Sequence, residues 1–238
     1  MGSTLSGQVA LVTGGVHGVG RAIAETLMGA GARVAAGYAR SWTAAEAFFV
    51  EHGTHGVSIH QGHLDLAEDC DRVVEEVLDR HGRLDILVNA AGVVSESMSL
   101  LEPAQRARAA EINLAGAYSM VRAVRTHMER NGHGRIIGIT PVGDPPGLGS
   151  GTMATQATLT PHLADELQGT GVTIACIVPT VAITEPGTGA RAELDTISRL
   201  VLRLAGPEGA DHHGQVHRVA DMTGQAIQHI ETTKWSSQ

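Results

Sequence analysis

Short apolar runs alternate with longer amphipathic stretches along this chain. Residues 9–12 (Val-Ala-Leu-Val) are uniformly apolar, as expected of a strand covered on both faces. Residues 21–28 then repeat their apolar positions with helical spacing. The alternation continues with a strand over 32–38 and a helix over 42–52, whose Trp42, Ala45, Phe48 and Phe49 share one face. A short strand over 57–60 leads to Asp65. A helix over 67–81 carries Val73, Val74, Val77 and Leu78, and a strand over 85–88 runs into Asn89-Ala90-Ala91-Gly92. Next come a long helix over about 104–130 and a strand over 135–140, after the turn Asn131-Gly132-His133-Gly134. A helix over about 151–168, a strand over 172–178 closed by Pro179, a helix over 194–204 and a strand over 215–219 complete the pattern. Strands separated by helices predict an α/β fold, a doubly wound parallel sheet of about seven strands flanked by helices with right-handed crossovers. Ligands of such sheets bind outside the carboxyl ends of the strands.

The turn between the first strand and first helix reads Thr13-Gly14-Gly15-Val16-His17-Gly18-Val19-Gly20. A strand turning sharply into a helix leaves free backbone N–H groups at the helix N-terminus, and these attract phosphate together with the helix dipole. Gly14 permits the tight turn, Gly18 lets a pyrophosphate approach the backbone, and Gly20 lets the helix pack on the strand. A glycine string alone is weak; its place between a strand and a helix makes it a dinucleotide cradle.

Composition narrows the function. With 238 residues and no Pro/Gly/Ser linker, the chain is expected to form one domain over 1–238. A net charge of −8 and a pI near 5.9 argue against nucleic acid as a partner. No apolar segment reaches the roughly 20 residues that span a bilayer, and the N-terminus lacks a basic-then-apolar signal, so no membrane and a cytoplasmic location are expected. Cys70 and Cys176 stand far apart with no motif around them, and neither suggests a disulfide framework. Aromatic residues make up 3%, so Ala, Val, Leu and Ile must build the core.

With these motifs in order, the sequence resembles the short-chain dehydrogenase/reductase family over essentially its full length, which implies a Rossmann-type single domain. Thr13-Gly14-x-x-x-Gly18-x-Gly20 resembles the family's cofactor fingerprint, Asp65 its adenine-contacting acid, Asn89-Ala90-Ala91-Gly92 its motif after the fourth strand, and Asn113 its helix asparagine. Gly214-Gln215-Val216 with Arg218-Val219 resembles its closing strand. The resemblance implies cofactor contacts at Thr13, Gly14, Gly18, Val19, Gly20, Asp65, Leu66, Asn89, Ala90, Gly92 and Thr184, and His17 is either a further donor to a cofactor phosphate or a plain solvated residue. The end of the second strand reads Tyr38-Ala39-Arg40-Ser41. An acid there would bond a ribose 2′-hydroxyl; Arg40 instead offers a planar fork to a 2′-phosphate and Ser41 a second donor, which points to NADP(H). Arg40 as a solvated loop arginine is the plain alternative.

The departures are as informative. Enzymes of the family use a Ser after the fifth strand, a Tyr thirteen residues on, and a Lys four further along. Counted from Gly134-Arg135-Ile136-Ile137-Gly138-Ile139-Thr140, those positions hold Pro141, Ala154 and Thr158. Proline has no donor, alanine no proton to give, and threonine no charge with which to shift a neighbour's pKa. No Tyr follows Tyr118 and no Lys precedes Lys234, so no small alignment shift restores the pair. The substrate-covering segment also looks cut down near 185–193, with Glu185 to Gly189 read as plain turn. Asn113 is retained. His162, about one helical turn beyond Thr158, is a weak substitute donor beside its plainer reading as a solvated histidine. Thr140, Asp144, Ser150, Thr152 and Thr155 lie nearby; the last four read as turn or capping residues. His212, His213 and His217 invite a metal reading but lack the ligand spacing of a known site, so no metal is expected.

Three functions remain open: a catalytically deficient subunit partnering an active reductase, with a retained, even vestigial, NADP(H) site; an NADPH-dependent carbonyl or ketoacyl reductase with another proton donor, or a redox-neutral cyclase, dehydratase or isomerase; and a cofactor-sensing module. The resemblance implies homo- or hetero-oligomers, dimers or tetramers, through the helices near 104–130 and 151–168. Leu114, Tyr118, Val121, Leu159 and Leu163 would be the buried face, or simply core.

Overall fold

The computed structural model describes residues 4–91, 103–140, 154–179 and 188–219; the side chains of 55, 103–112, 154–155 and 188–190 lie outside that description. The strands are β1 (Val9–Thr13), β2 (Arg33–Tyr38), β3 (Ser58–Gln61), β4 (Ile86–Asn89), β5 (Gly134–Ile139), β6 (Val172–Val178) and β7 (Val216–Arg218). They form one sheet in the order β3-β2-β1-β4-β5-β6-β7, and every adjacent pair is parallel. Among the described residues the helices are α1 (Gly18–Gly29), α2 (Trp42–His52), α3 (Ala67–His81), α4 (Pro103–Arg130), α5 (Ala154–Leu167) and α6 (Thr188–Ala205). This is the doubly wound Rossmann-like sheet that the alternation predicted.

The uniform apolarity of β1 has a direct cause. Ala10 and Val12 join the core beneath α1, α2 and α6, whereas Val9 and Leu11 join the core beneath α3, α4 and α5. Successive side chains of a strand point to opposite faces, so both faces must be apolar when both carry helices. Each fully buried Leu, Ile or Phe contributes about 1.5–3 kcal/mol. Among the described residues Phe48 is the largest fully buried side chain, and the rest of the core is mostly aliphatic.

Two buried ionic groups pin the amino-terminal edge of the sheet. Asp85, just ahead of β4, accepts the Val9 N–H at 2.9 Å and is gripped through both oxygens by the Arg83 guanidinium at 2.8 and 2.7 Å. Arg135, buried at the start of β5, donates to the carbonyls of Gly134 and Gly206. Gly206 follows the last residue of α6, so the guanidinium lies at the negative end of that helix dipole, the end that favours a cation. Burial still lowers its pKa.

The element boundaries moved where the ends are polar or glycine-rich. The first helix starts at Gly18 instead of 21, and α6 starts at Thr188 instead of 194. The expected turn over Glu185 to Gly189 is therefore helical at Thr188 and Gly189. Residues 180–187, the rest of the expected short lid, lie outside the described residues. No helix among the described residues is long and apolar enough to cross a membrane.

Candidate functional site

The strand order reverses between β1 and β4, and the crevice of a doubly wound sheet opens at that point, over the carboxyl ends of the strands. The sequence places its glycine turn there. Gly14 has φ +66°, and a Cβ on it would lie 3.2 Å from Ala91 Cα. Gly18 has φ +54° and nothing within 4 Å of its missing side chain, so the backbone faces open space. A Cβ on Gly20 would meet the Gly14 carbonyl oxygen at 2.2 Å. The third glycine thus lets α1 press against the turn itself, where packing on the strand had been expected.

At the N-terminus of α1, His17 is the N-cap residue and makes no side-chain capping bond, and the first turn carries no acid. His17 and Gly18 are exposed and Val19 is half-buried. The helix end therefore presents backbone N–H groups and a positive dipole end with no capping side chain and no first-turn acid among the described residues. Arg40 and Ser41 follow β2, both exposed. The Arg40 guanidinium has no ion-pair or hydrogen-bond partner among the described residues. Ser41 precedes α2 as its N-cap residue without a side-chain capping bond. Asp65 is exposed in the loop before α3, and Leu66, the N-cap residue of that helix, is 46% exposed.

Two polar residues expected to meet the cofactor are used structurally by their side chains. Thr13 is buried; its Oγ1 accepts the N–H groups of Ala90 and Ala91 at 3.1 and 3.0 Å. It ties the end of β1 to the loop after β4. Asn89 is also buried, and its Nδ2 donates to the Ala117 carbonyl on α4 at 3.1 Å. Gly92 and Thr184 lie outside the described residues.

On the catalytic side, Pro141, Asp144, Ser150 and Thr152 lie outside the described residues, as do the side chains of Ala154 and Thr155. Ala154 opens α5, and Thr158 and His162 follow on that helix, both exposed. Asn113 is half-buried on α4. Thr140, at the end of β5, is buried with an Oγ1 that meets no hydrogen-bond partner among the described residues. Gln156 is a residue the sequence reading missed: it is buried in the first turns of α5, and its Nε2 also lacks a partner. Only the rotation of α5 over the sheet reveals it, and an exposed polar helix residue gives the same sequence signal.

Of the expected interface residues, Tyr118 is 47% exposed and Leu114 and Leu159 are half-buried. Val121 and Leu163 are buried within the chain's own core, so they are packing residues. The histidines weighed as metal ligands are placed differently. His213 uses both ring nitrogens, accepting the Ile174 N–H and facing the Ala164 carbonyl. His212 and His217 pack edge to face with ring centroids 4.9 Å apart. Glu25, Glu51 and His52 bring ligand atoms within 4.8 Å of one another, but the Arg21 guanidinium already pairs with both carboxylates at 2.8 and 2.6 Å. The thiols of Cys70 and Cys176 are pushed up by burial, to about 11 and about 12, which leaves them protonated and unreactive near neutral pH.

Comparison with known proteins agrees with this architecture. Residues 8–195 match the family model described as short chain dehydrogenase. A 3-oxoacyl-[acyl-carrier-protein] reductase of Synechocystis sp. is 32% identical over 200 residues, covering 80% of this chain and 81% of that protein. An acetoacetyl-CoA reductase of Shinella zoogloeoides is 31% identical over 224 residues, covering 84% and 92%. The crystal structure of a dehydrogenase/reductase from Sinorhizobium meliloti 1021 superposes with a TM-score of 0.76 at 28% identity, covering 92% of this chain and 95% of that one. With its parallel sheet, its glycine turn at the strand-order reversal and a family match over most of its length, the chain belongs to the short-chain dehydrogenase/reductase family and is an oxidoreductase of that type by family and fold.

Proposed function

We propose that this chain holds NADP(H) in the crevice at β1 and β4, cannot run the family's Ser-Tyr-Lys proton relay, and serves as a catalytically deficient subunit beside an active reductase. One observation carries the reading: no tyrosine follows Tyr118 and no lysine precedes Lys234, so α5 and the approach to it contain neither member of the pair. Carbonyl reduction builds negative charge on oxygen, and without an acid in reach the barrier stays high. A substrate-covering segment cut down near 185–193, as the sequence suggests, would give little to exclude water from a substrate.

The residues present fit the cofactor. The open side of Gly18 and the uncapped N-terminus of α1 suit a pyrophosphate. Arg40 and Ser41 would hold the 2′-phosphate and Asp65 the adenine. Backbone at Ala90 and Gly92 would border the ribose, and Thr184 the far end of the cofactor. NADP(H), when bound, supplies hydride chemistry; the chain's own part is to bind and orient it. Charge-assisted hydrogen bonds are worth about 1.5–3 kcal/mol. Arg40→Ala is accordingly expected to weaken NADPH binding about 10- to 100-fold while leaving NADH binding unchanged, as read by fluorescence titration. Equal losses for the two cofactors would remove Arg40 from the 2′-phosphate site.

The subunit role is tested by size-exclusion chromatography of the chain alone and mixed with an active family member encoded nearby. A mixed oligomer through α4 and α5, with turnover confined to the partner's site, is the expected result. A strictly homomeric chain contradicts it. The names of the curated relatives favour a second reading, a ketoacyl reductase using another donor. Under that reading His162→Ala abolishes turnover.

A further inference from the structure

Between β4, β5, β6, α4 and α5 lies a part-open pocket with room of about 20 Å³, bordered by Asn89, Tyr118, Gly138, Gln156, Thr160 and neighbouring apolar side chains. Two polar atoms of the lining residues are buried with no hydrogen-bond partner among the described residues, Asn89 Oδ1 and Gln156 Nε2. Their residues are 3% and 7% exposed. The Asn89 amide is oriented by its Nδ2 bond to the Ala117 carbonyl, which leaves Oδ1 as the open acceptor. Gly138 is the register partner of Asn89 across β4 and β5, and its missing side chain makes room for Gln156; a Cβ there would lie 2.8 Å from Gln156 Oε1. Two residues of the pocket lining thus carry one unmatched acceptor and one unmatched donor among the described residues. Leaving either buried and unpaired is costly. About 10–15 Å³ suffices for one water, which needs at least two polar partners.

We propose that this pocket is a binding site for a single buried water molecule, which donates to Asn89 Oδ1 and accepts from Gln156 Nε2. The bridge ties the first turns of α5 to the end of β4. That part of α5 needs a tie, because Pro161 inside the helix removes the N–H that would bond the Ala157 carbonyl. Thr160 Oγ1 donates to the neighbouring Gln156 carbonyl at 2.8 Å. The water site is independent of whether the chain turns over a substrate.

A high-resolution crystal structure of the unaltered chain tests the site. The expected result is one solvent peak within about 2.7–3.2 Å of both atoms. A site without solvent density, or a direct Asn89–Gln156 bond, overturns the proposal. Gln156→Met gives a second reading because it keeps the volume and removes the donor. Loss of a water bridge would leave Asn89 Oδ1 unpaired and lower Tm by about 2–4 °C. In a dry site the same change removes a penalised amide, so an unchanged or raised Tm overturns the proposal. Should the variant fail to fold, the crystal structure alone decides.

Discussion

Gly20→Ala is expected to lower Tm by several degrees and to weaken NADPH binding more than tenfold. In the interior of a helix this change ordinarily gains up to about 1 kcal/mol. Here the new Cβ would meet the Gly14 carbonyl oxygen at 2.2 Å and its carbon at 2.8 Å. Both are backbone atoms, and Gly14 is fixed in a left-handed turn at φ +66° with Ala91 against it. No flexible side chain can yield, so α1 must move outward. That movement turns the first-turn N–H groups away from where a pyrophosphate would sit. Gly29→Ala is the control: it lies in the same helix, with nothing within 4 Å of its missing side chain. It should leave binding unchanged. Normal NADPH affinity in Gly20→Ala would show that the cradle is not where the glycine turn puts it.

Stability should fall steeply as pH drops from 7 towards 4. Burial pushes the pKa of His81 down to about 4, helped by the nearby charge of Arg33. Burial does the same to His217, again to about 4, with His212 and Arg203 adding to it. His217 is fully buried, and neither ring nitrogen has a partner among the described residues. Both histidines are therefore neutral in the folded chain at pH values where the unfolded chain protonates them, below about 6.5. The unfolded state then binds more protons, so stability is fully present above pH 6.5 and drains away down to about pH 4. At about 1.4 kcal/mol per pKa unit, each histidine accounts for on the order of 3 kcal/mol. Two such losses rival the whole margin of a typical domain, about 5–15 kcal/mol. Urea unfolding at pH 7.5 and 5.0 measures the drop, and His217→Leu should flatten it. An equally steep curve for the variant would assign the loss to other groups.

The fold was legible because the strands are buried on both faces. The alternation of Ala10 and Val12 with Val9 and Leu11 between two cores leaves no polar position to confuse the pattern. Helix starts were less legible where turn residues are simply absorbed into a first turn, as with Gly189 in α6. In the site, the glycine turn could be read, since each glycine answers a steric demand of one local turn. Thr13 and Asn89 were identified as site residues, but the use of their side chains depends on atoms of Ala90, Ala91 and Ala117, far along the chain. Val121 and Leu163 have the spacing of an outward face and are buried all the same, because α4 and α5 pack on the sheet through them. Nor does the sequence show that His217, beside two other histidines, is enclosed without a partner; only the packing of β7 beside the 3-10 turn Pro207–His212 reveals it.

A dinucleotide cradle in a chain without a proton relay should bind NADPH and leave it unoxidised. Adding NADPH to the purified chain, following binding by nicotinamide fluorescence, and then adding acetoacetyl-CoA while following NADPH absorbance separates the two properties. The expected result is saturable NADPH binding with no oxidation above the buffer rate. Oxidation by the homogeneous chain in the ordinary enzymatic range of about 1–10³ per second, or no NADPH binding at all, would contradict it.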